Sequence, residues 1–508
     1  MKKVFLSVII GIFFFFAGIL LIPGIRGTNN DLRYYQQSKN REVGGPFESS
    51  GSTSRYLLTE TIAEDRRIYF SQEEAEFASP DVVGKDGKYF SIFMPGVSFV
   101  GVPFFKLGEV LGAGQIGSYL MNTLVAMINV LLIFLIVRKK SNNNWVGLFS
   151  GLVFLFGSNA FAYSFFYTQH HLSTLCLLIG IYLVTFDRNF INNLLLGAIY
   201  GYAIMIDIPN IFIMFPLLIF AFSQHFKIKK AEHSISLSLK YSFIYIAIGA
   251  IPLLAGIGLY NYSLTKNYTK LPQFIGRTET FSQEQRKAPI KTTVKEKDPF
   301  EVNTPFLTRN LLNGLYILLI SDERGWLVYS PILFIGFLGV IAGLKKKHSS
   351  GFIQTLFSIF IVNLLLYAMF GDPWGGWSFG PRYMIPAAAV MSVLIGYATF
   401  HYRKNILYVL FVVTLIAYSS YINTLGAITT TEVPPKQEAA YLTSHIPYTY
   451  KYNLSLLKEN KIRSFFYTSS LVTVISAFDF FIIYWSVILM LLSFSFSLAI
   501  IHEKDKET

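Results

Sequence analysis

Apolar runs near 20 residues alternate with short polar stretches along the whole chain. An apolar run follows Lys2-Lys3, from Val4 to Pro23. Further runs lie near residues 117–137, 145–163, 171–186, 191–206, 209–223, 240–260, 326–344, 352–370, 382–400, 405–424 and 473–500. A bilayer core of about 30 Å takes roughly 20 helical residues, so each run predicts one spanning helix. The expectation is an all-α polytopic membrane protein of about 12 transmembrane helices. The first run is too long for a signal-peptide core and no small-x-small cleavage site follows it.

Two apolar runs are set apart. Residues 94–112 could also span, but then Arg138-Lys139-Lys140 would lie outside. Read as an interfacial or re-entrant helix, the run lets those residues, Lys227/Lys229/Lys230, Lys345-Lys346-Lys347 and Arg403-Lys404 all fall inside, as the positive-inside rule asks. The run 311–320 is too short to cross. The layout is then a first helix (1–23), a first outer loop (24–116) and a bundle (117–260). A second outer loop (261–325) precedes another bundle (326–424) that carries a turn at 371–386. A third outer loop (425–472) leads to the last helix and tail (473–508). Both termini are expected on the cytoplasmic side of the cell membrane, with the large polar mass outside. Residues 262–300, rich in Lys, Thr and Gln, are expected to be mobile.

Composition agrees: 53% of residues are hydrophobic and only 14% charged, against about 25% charged in an ordinary soluble domain. Mean hydropathy is +0.46. The single cysteine, Cys176, excludes an internal disulfide framework and a Cys-based zinc site. A net charge of +13 fits cytoplasmic loops held at an anionic leaflet. No recognition motif accompanies it, so nucleic acid is not an expected partner. Walker A and HExxH patterns are absent, which removes support for ATP-driven transport and zinc-dependent hydrolase chemistry.

Candidate chemistry gathers on the outer side. In the first loop Asp81 reads either as a general base or as the cap of a turn after Pro80. Asp86-Gly87 is a turn signal before strand-like Lys88-Tyr89-Phe90, and Pro95-Gly96 starts a helix. His170-His171 and Asp207 stand at outer span ends, where ionisable groups are functional candidates or hydrated caps. The His pair has no acidic partner at helical spacing. In GDPWGGWSFGPRYMIP (371–386), Arg382 enters a helix start beside free N–H groups, either as an anion site or snorkelling to lipid phosphate. Trp374 and Trp377 fit an aromatic belt equally well. In SDERGWLVYSPILF (321–334), Arg324 is expected to pair with Asp322 or Glu323. No cofactor motif is present. A divalent cation stays open through Glu73, Glu74 and Glu76, whose ordinary role is a solvated acidic loop.

Five segments carry a resemblance: SRYLLTETIAED (54–65), D-x4-DGKYFS-x3-PG (81–96), the His-bearing stretch after Tyr167, RGWLVYSP (324–331) and GGWSFGPRYMIP (375–386). In order and topology the chain resembles the GT-C membrane glycosyltransferases, glycosyltransferase family 39 among them, which include protein mannosyltransferases and the aminoarabinose transferase of lipid A. The resemblance implies a GT-C-like helix bundle with large outer loops. It implies inverting transfer of a sugar from a polyprenyl-phosphate donor to a lipid, glycan or protein acceptor outside the membrane. Many relatives carry an Asp-Glu pair before the tyrosine of the first loop; here Thr53-Ser54-Arg55 precedes Tyr56. The subgroup with an Asp before DGxYYS matches Asp81, which becomes the implied base, with Glu60 and Asp31 in reserve. Arg382, Arg55 and Arg324 are the implied donor-phosphate ligands. His170, Tyr56, Lys88, Tyr89, Trp377 and Glu60 are the implied positioning residues. The alternatives are a transporter or flippase, or a polymerase or ligase, acting on lipid-linked sugars. Spans nearly free of charge and without an internal repeat speak against the first.

Overall fold

The computed structural model describes residues 2–27, 43–85, 87–187, 189–231, 234–239, 241–272, 306–345, 350–443, 445–462 and 464–502. Most of residues 262–300, Asp31 and Asp86 lie outside these. The described chain is helical apart from two small hairpins.

Helix α1 is Lys2–Ile19. Three short elements and two helices follow in the first loop: α2 (Ser50–Asp65), α3 (Gln72–Ala78), strands β1 (Val82–Lys85) and β2 (Lys88–Ser91), and α4 (Gly96–Glu109). The bundle then runs through α5 (Gly114–Ser141), α6 (Asn144–Phe156), α7 (Ala160–Tyr163), α8 (His170–Leu183), α9 (Phe190–Ile206), α10 (Asn210–Ile213) and α11 (Phe215–Ser223). A hairpin of β3 (Phe226–Ala231) and β4 (Ser234–Leu239) leads to α12 (Ile244–Thr265). After the second loop come α13 (Leu311–Leu319), α14 (Trp326–Tyr329), α15 (Ile335–Leu344), α16 (Ser350–Ala368), α17 (Ile385–Tyr402) and α18 (Ile406–Ile428). Helices α19 (Lys436–Ala439) and α20 (Lys451–Lys458) precede α21 (Ala477–Ile501).

Seven of these helices are long and apolar enough to cross a membrane, and five shorter apolar helices accompany them. Each predicted span coincides with one of the twelve. Helix α4 has 14 residues and α13 has nine. At 1.5 Å per residue both are shorter than a roughly 30 Å core, as are α6 (13 residues) and α8 (14 residues). Of the Asp86-Gly87 signal only Gly87 is described: it has φ +73° ahead of β2, where Lys88 pairs with Lys85 of β1.

Close helix packing rests on small residues, as it does wherever lipid removes the hydrophobic drive for association. Helices α9 and α12 cross where Gly197 meets the Ile246 carbonyl and Gly249 meets the Leu194 carbonyl; a methyl group at either would collide with backbone. Helix α17 is buried along nearly its whole length and forms the axis of the bundle, with α15, α16, α5, α6 and α8 around it. Helix α12 instead turns most of its apolar surface outward.

Chain alternation sorts the ends. Arg138, Arg403 and the end of α21 share one end, where Arg403 Nη1 and Asn143 Nδ2 donate to the His502 carbonyl at 2.6 and 3.2 Å. The end of α1, the starts of α2, α8 and α17, and the ends of α9 and α18 share the other. The candidate residues of the sequence lie at that second end.

Candidate active site

The N-terminus of α2 organises the site. Its first turns are Ser50, Gly51, Ser52, Thr53 and Ser54, all small, so neighbouring segments approach closely. Ser50 Oγ donates to Asp81 Oδ2 at 2.6 Å, and Ser54 Oγ donates to the Asp81 carbonyl at 2.9 Å. Asp81 is thus held from two turns of one helix, at its carboxylate by Ser50 and at its carbonyl by Ser54, and it is 7% exposed. One turn on, Arg55 donates from Nη1 to the Gly51 carbonyl at 2.9 Å and lies 3.6 Å over the Phe93 ring. Its Nε is buried without a hydrogen-bond partner.

Arg55 faces Asp207, Asp81 and Arg382. Asp207 ends α9 in extended backbone before Pro209, and Gln169 Nε2 donates to its Oδ2 at 3.4 Å. Burial pushes the Asp207 carboxyl up to about 6, against the pull of Arg55. Burial lowers the Arg55 guanidinium to about 10, against the pull of Asp207 and Asp81. Arg382 enters α17 through a short 3-10 turn, Arg382–Met384, and its Nε is also buried and unpaired. The turn ahead of it is shaped by Gly375 (φ +76°) and Gly376 (φ +63°). Asp372 Oδ1 accepts the Gly375 N–H at 3.0 Å and closes that turn. A Cβ on Gly375 would stand 3.3 Å from Arg382 Nε and 3.2 Å from the Tyr383 ring. Glycine there lets the backbone lie directly against the guanidinium.

His170, 5% exposed, starts α8 edge-on to Tyr163 and Tyr383, and it faces Arg382 and Arg55. Tyr163 Oη accepts the Phe379 N–H at 3.0 Å and faces Arg382. Asp81, Arg55, His170 and Arg382, far apart in sequence, therefore meet at one place.

Other candidates lie elsewhere. Arg324 is fully buried, and the expected Asp–Arg or Glu–Arg pair does not form. Its Nε donates to Ser378 Oγ (3.0 Å) and the Trp374 carbonyl (3.1 Å), and its Nη atoms donate to the carbonyls of Glu323 (2.8 Å), Val433 (2.9 Å) and Gly376 (3.3 Å). Its donors hold the 374–378 turn against residue 433. Asp322 instead accepts from Tyr448 Oη, and Glu323 from the Lys436 N–H. Trp377 Nε1 donates to Glu438 at 2.7 Å. Tyr56 is buried among Phe47, Phe105, Tyr119 and Tyr167, with its hydroxyl toward Glu60 at 3.4 Å. Lys88 is exposed on β2 with its ammonium 4.6 Å over Tyr69, and Tyr89 pairs with Gly84 across the hairpin and with Phe70 through an isolated bridge. Glu74, offered as a metal ligand, is taken by Arg67 and by a capping box with Ser71. Among the described residues no group of three or more metal-ligating side chains forms.

Two further groups escaped the sequence reading. Glu48 is buried and bonds Arg26 (3.3 Å), Thr430 Oγ1 (2.6 Å) and the Thr431 N–H (3.0 Å). It ties the end of α1 and the start of α2 to the segment after α18. Glu432, next along that segment, is bonded by the Ser49 side chain and faces Arg382 and Arg324. Neither lies in a recognisable motif.

Residues 100–254 match the family model of the dolichyl-phosphate-mannose-protein mannosyltransferases. A comparison with curated proteins finds no match. Among solved structures, ArnT from Cupriavidus metallidurans in the apo state has a TM-score of 0.51 at 12% identity, covering 97% of this chain and 76% of that one. The same protein bound to undecaprenyl phosphate has a TM-score of 0.51 at 11% identity, with the same coverage. The GT-C resemblance and the GT-C-like helical fold expected from the sequence are both borne out.

Proposed function

We propose that the chain is an integral membrane glycosyltransferase that moves a sugar from a polyprenyl-phosphate donor to a lipid, glycan or protein acceptor, with inversion at the anomeric carbon. One observation carries the reading. Two guanidinium groups, Arg55 and Arg382, face one another in a buried site, each with an unpaired Nε. Like charges so placed repel, and buried N–H donors without partners are costly. A phosphate between them relieves both penalties, and arginine matches its oxygens. The undecaprenyl phosphate named for ArnT is a molecule of this class.

The chemistry follows from the same residues. Asp81, fixed by Ser50, accepts the proton of the acceptor hydroxyl. The acceptor oxygen bonds to the anomeric carbon as the bond from that carbon to the phosphate oxygen breaks. Arg382 and Arg55 stabilise the charge that develops on the departing phosphate. Asp207 orients Arg55, and His170 positions the sugar or its phosphate. Arg324 acts indirectly, by holding the turn that carries Arg382. The basic clusters at Arg138-Lys139-Lys140 and Arg403-Lys404 stand at the opposite end of the bundle, which supports an outward-facing site with both termini cytoplasmic in the cell membrane. Asp81→Asn should cut sugar transfer by about a thousandfold while donor binding persists, and Arg382→Ala should raise the donor KM by about tenfold or more. Both are read by radiolabelled transfer with the purified protein. Near wild-type turnover in folded Asp81→Asn would sink the assignment of the base.

A further inference from the structure

We propose that Glu432 is a sugar-recognition residue: its carboxyl hydrogen-bonds a ring hydroxyl of the hexose or pentose whose phosphate Arg382 and Arg55 hold. The inference rests on the donor-phosphate reading of the site. The segment that carries Glu432 is pinned on both sides. Upstream, Glu48 accepts hydrogen bonds from Thr430 Oγ1 at 2.6 Å and from Thr431 N–H and Oγ1 at 3.0 and 3.2 Å. Downstream, the Val433 carbonyl accepts from Ser378 N–H and Arg324 Nη2, both at 2.9 Å. The Glu432 N–H itself donates to Thr430 Oγ1 at 2.9 Å. A residue fixed in this way has its side chain aimed by its neighbours.

That side chain lies between the start of α2 and the turn that carries Arg382. Ser49 bonds it, while the next residue, Ser50, bonds Asp81, so two carboxyl groups hang from adjacent serines of one helix start. Tyr163 faces Arg382 and Glu432 alike. Glu432 thus borders the phosphate position on the side of Arg382; of the two groups a donor phosphate carries, the sugar and the polyprenyl chain, only the sugar offers hydroxyls to a carboxyl. Burial, with Glu48 beside it, pushes the Glu432 carboxyl well above the usual carboxylate range, against the pull of Arg382 and Arg324. A protonated carboxyl both donates and accepts, which is what a ring hydroxyl requires. It also adds no negative charge beside the phosphate.

The test uses the full chain in lipid nanodiscs, an undecaprenyl-phosphate sugar that the wild type consumes, and the monodeoxy analogues of that sugar. Glu432→Ala should lower kcat/KM for the parent by about 30-fold and for one deoxy analogue by less than about threefold, so that discrimination at one hydroxyl collapses. Glu432→Gln, which donates and accepts through its amide, should keep the parent within about fivefold and retain the discrimination. Equal losses on the parent and every deoxy analogue in both variants would overturn the inference and leave the donor reading standing. A wild type that consumes no polyprenyl-phosphate sugar would overturn both.

Discussion

The Asp207–Arg55 pair gives the sharpest handle on the site. Burial raises the Asp207 carboxyl from 3.8 to about 6 and lowers the Arg55 guanidinium from its ordinary value to about 10. Both groups are therefore charged between about pH 6 and pH 10, and the site holds Arg55 in place only in that window. The rise at Asp207 is about two decades in proton affinity, or roughly 3 kcal/mol at about 1.4 kcal/mol per decade. The sign follows from linkage. Below about pH 4 the carboxyl is protonated in folded and unfolded chains alike, and no penalty is present. Between about pH 4 and 6 the unfolded chain ionises first, so the penalty on the folded state grows; above about pH 6 it is complete. Asp207→Asn removes that pH dependence. Its stability relative to wild type should improve by up to about 3 kcal/mol as pH rises from 4 to 6, and then stay level. Unfolding monitored by intrinsic fluorescence in detergent measures this. In parallel, wild-type kcat/KM for donor should fall on the acid side with an inflection near pH 6, and Asp207→Asn should lose that limb. A relative stability flat across pH 4–7, or an unchanged acid limb in the variant, would refute the reasoning.

Two other substitutions separate support from chemistry. Arg324→Lys keeps the charge but loses the planar fork that serves the carbonyls of Trp374, Gly376 and Val433. It should cost about 2–4 kcal/mol of stability and lower turnover by loosening the Arg382 turn, without a specific rise in donor KM; thermal unfolding beside kinetics measures both. Glu48→Ala leaves Arg26 as an uncompensated buried charge, at a cost of about 3–5 kcal/mol. Arg26→Met with Glu48→Gln should recover most of that loss, and a double variant as unstable as Glu48→Ala would count against the ion pair.

The fold was legible because lipid leaves the backbone little choice. A buried span must satisfy its own N–H and C=O groups as a helix, so each apolar run became one. Charge placement set the run of α4 apart from the predicted spans, and length set apart that of α13. The site was legible only in pieces. Arg382 announced itself through its glycine-rich turn, and Asp81 through its loop motif. Arg324 looked equally suited to a phosphate, because sequence cannot tell an arginine facing a ligand from one consumed by carbonyls. Asp207 stood out as an ionisable span end, yet its partner Arg55 lies some 150 positions earlier, and only the packing of α2 on α4 and of α4 on α9 joins them. Glu48 and Glu432 owe their place to a long-range strap between the start of α2 and the end of α18, which no local pattern encodes.

The central claim is that Arg55 and Arg382 hold a donor phosphate. The most direct measurement incubates the purified full chain in nanodiscs with a panel of undecaprenyl-phosphate sugars and follows released undecaprenyl phosphate. The expected result is consumption of at least one donor, with release in equal amount to sugar transferred in the presence of its acceptor, and a release rate lower by about tenfold or more in Arg382→Ala at donor concentrations below the wild-type KM. Release of no undecaprenyl phosphate from any donor by folded wild-type protein, or undiminished release by Arg382→Ala, would contradict it.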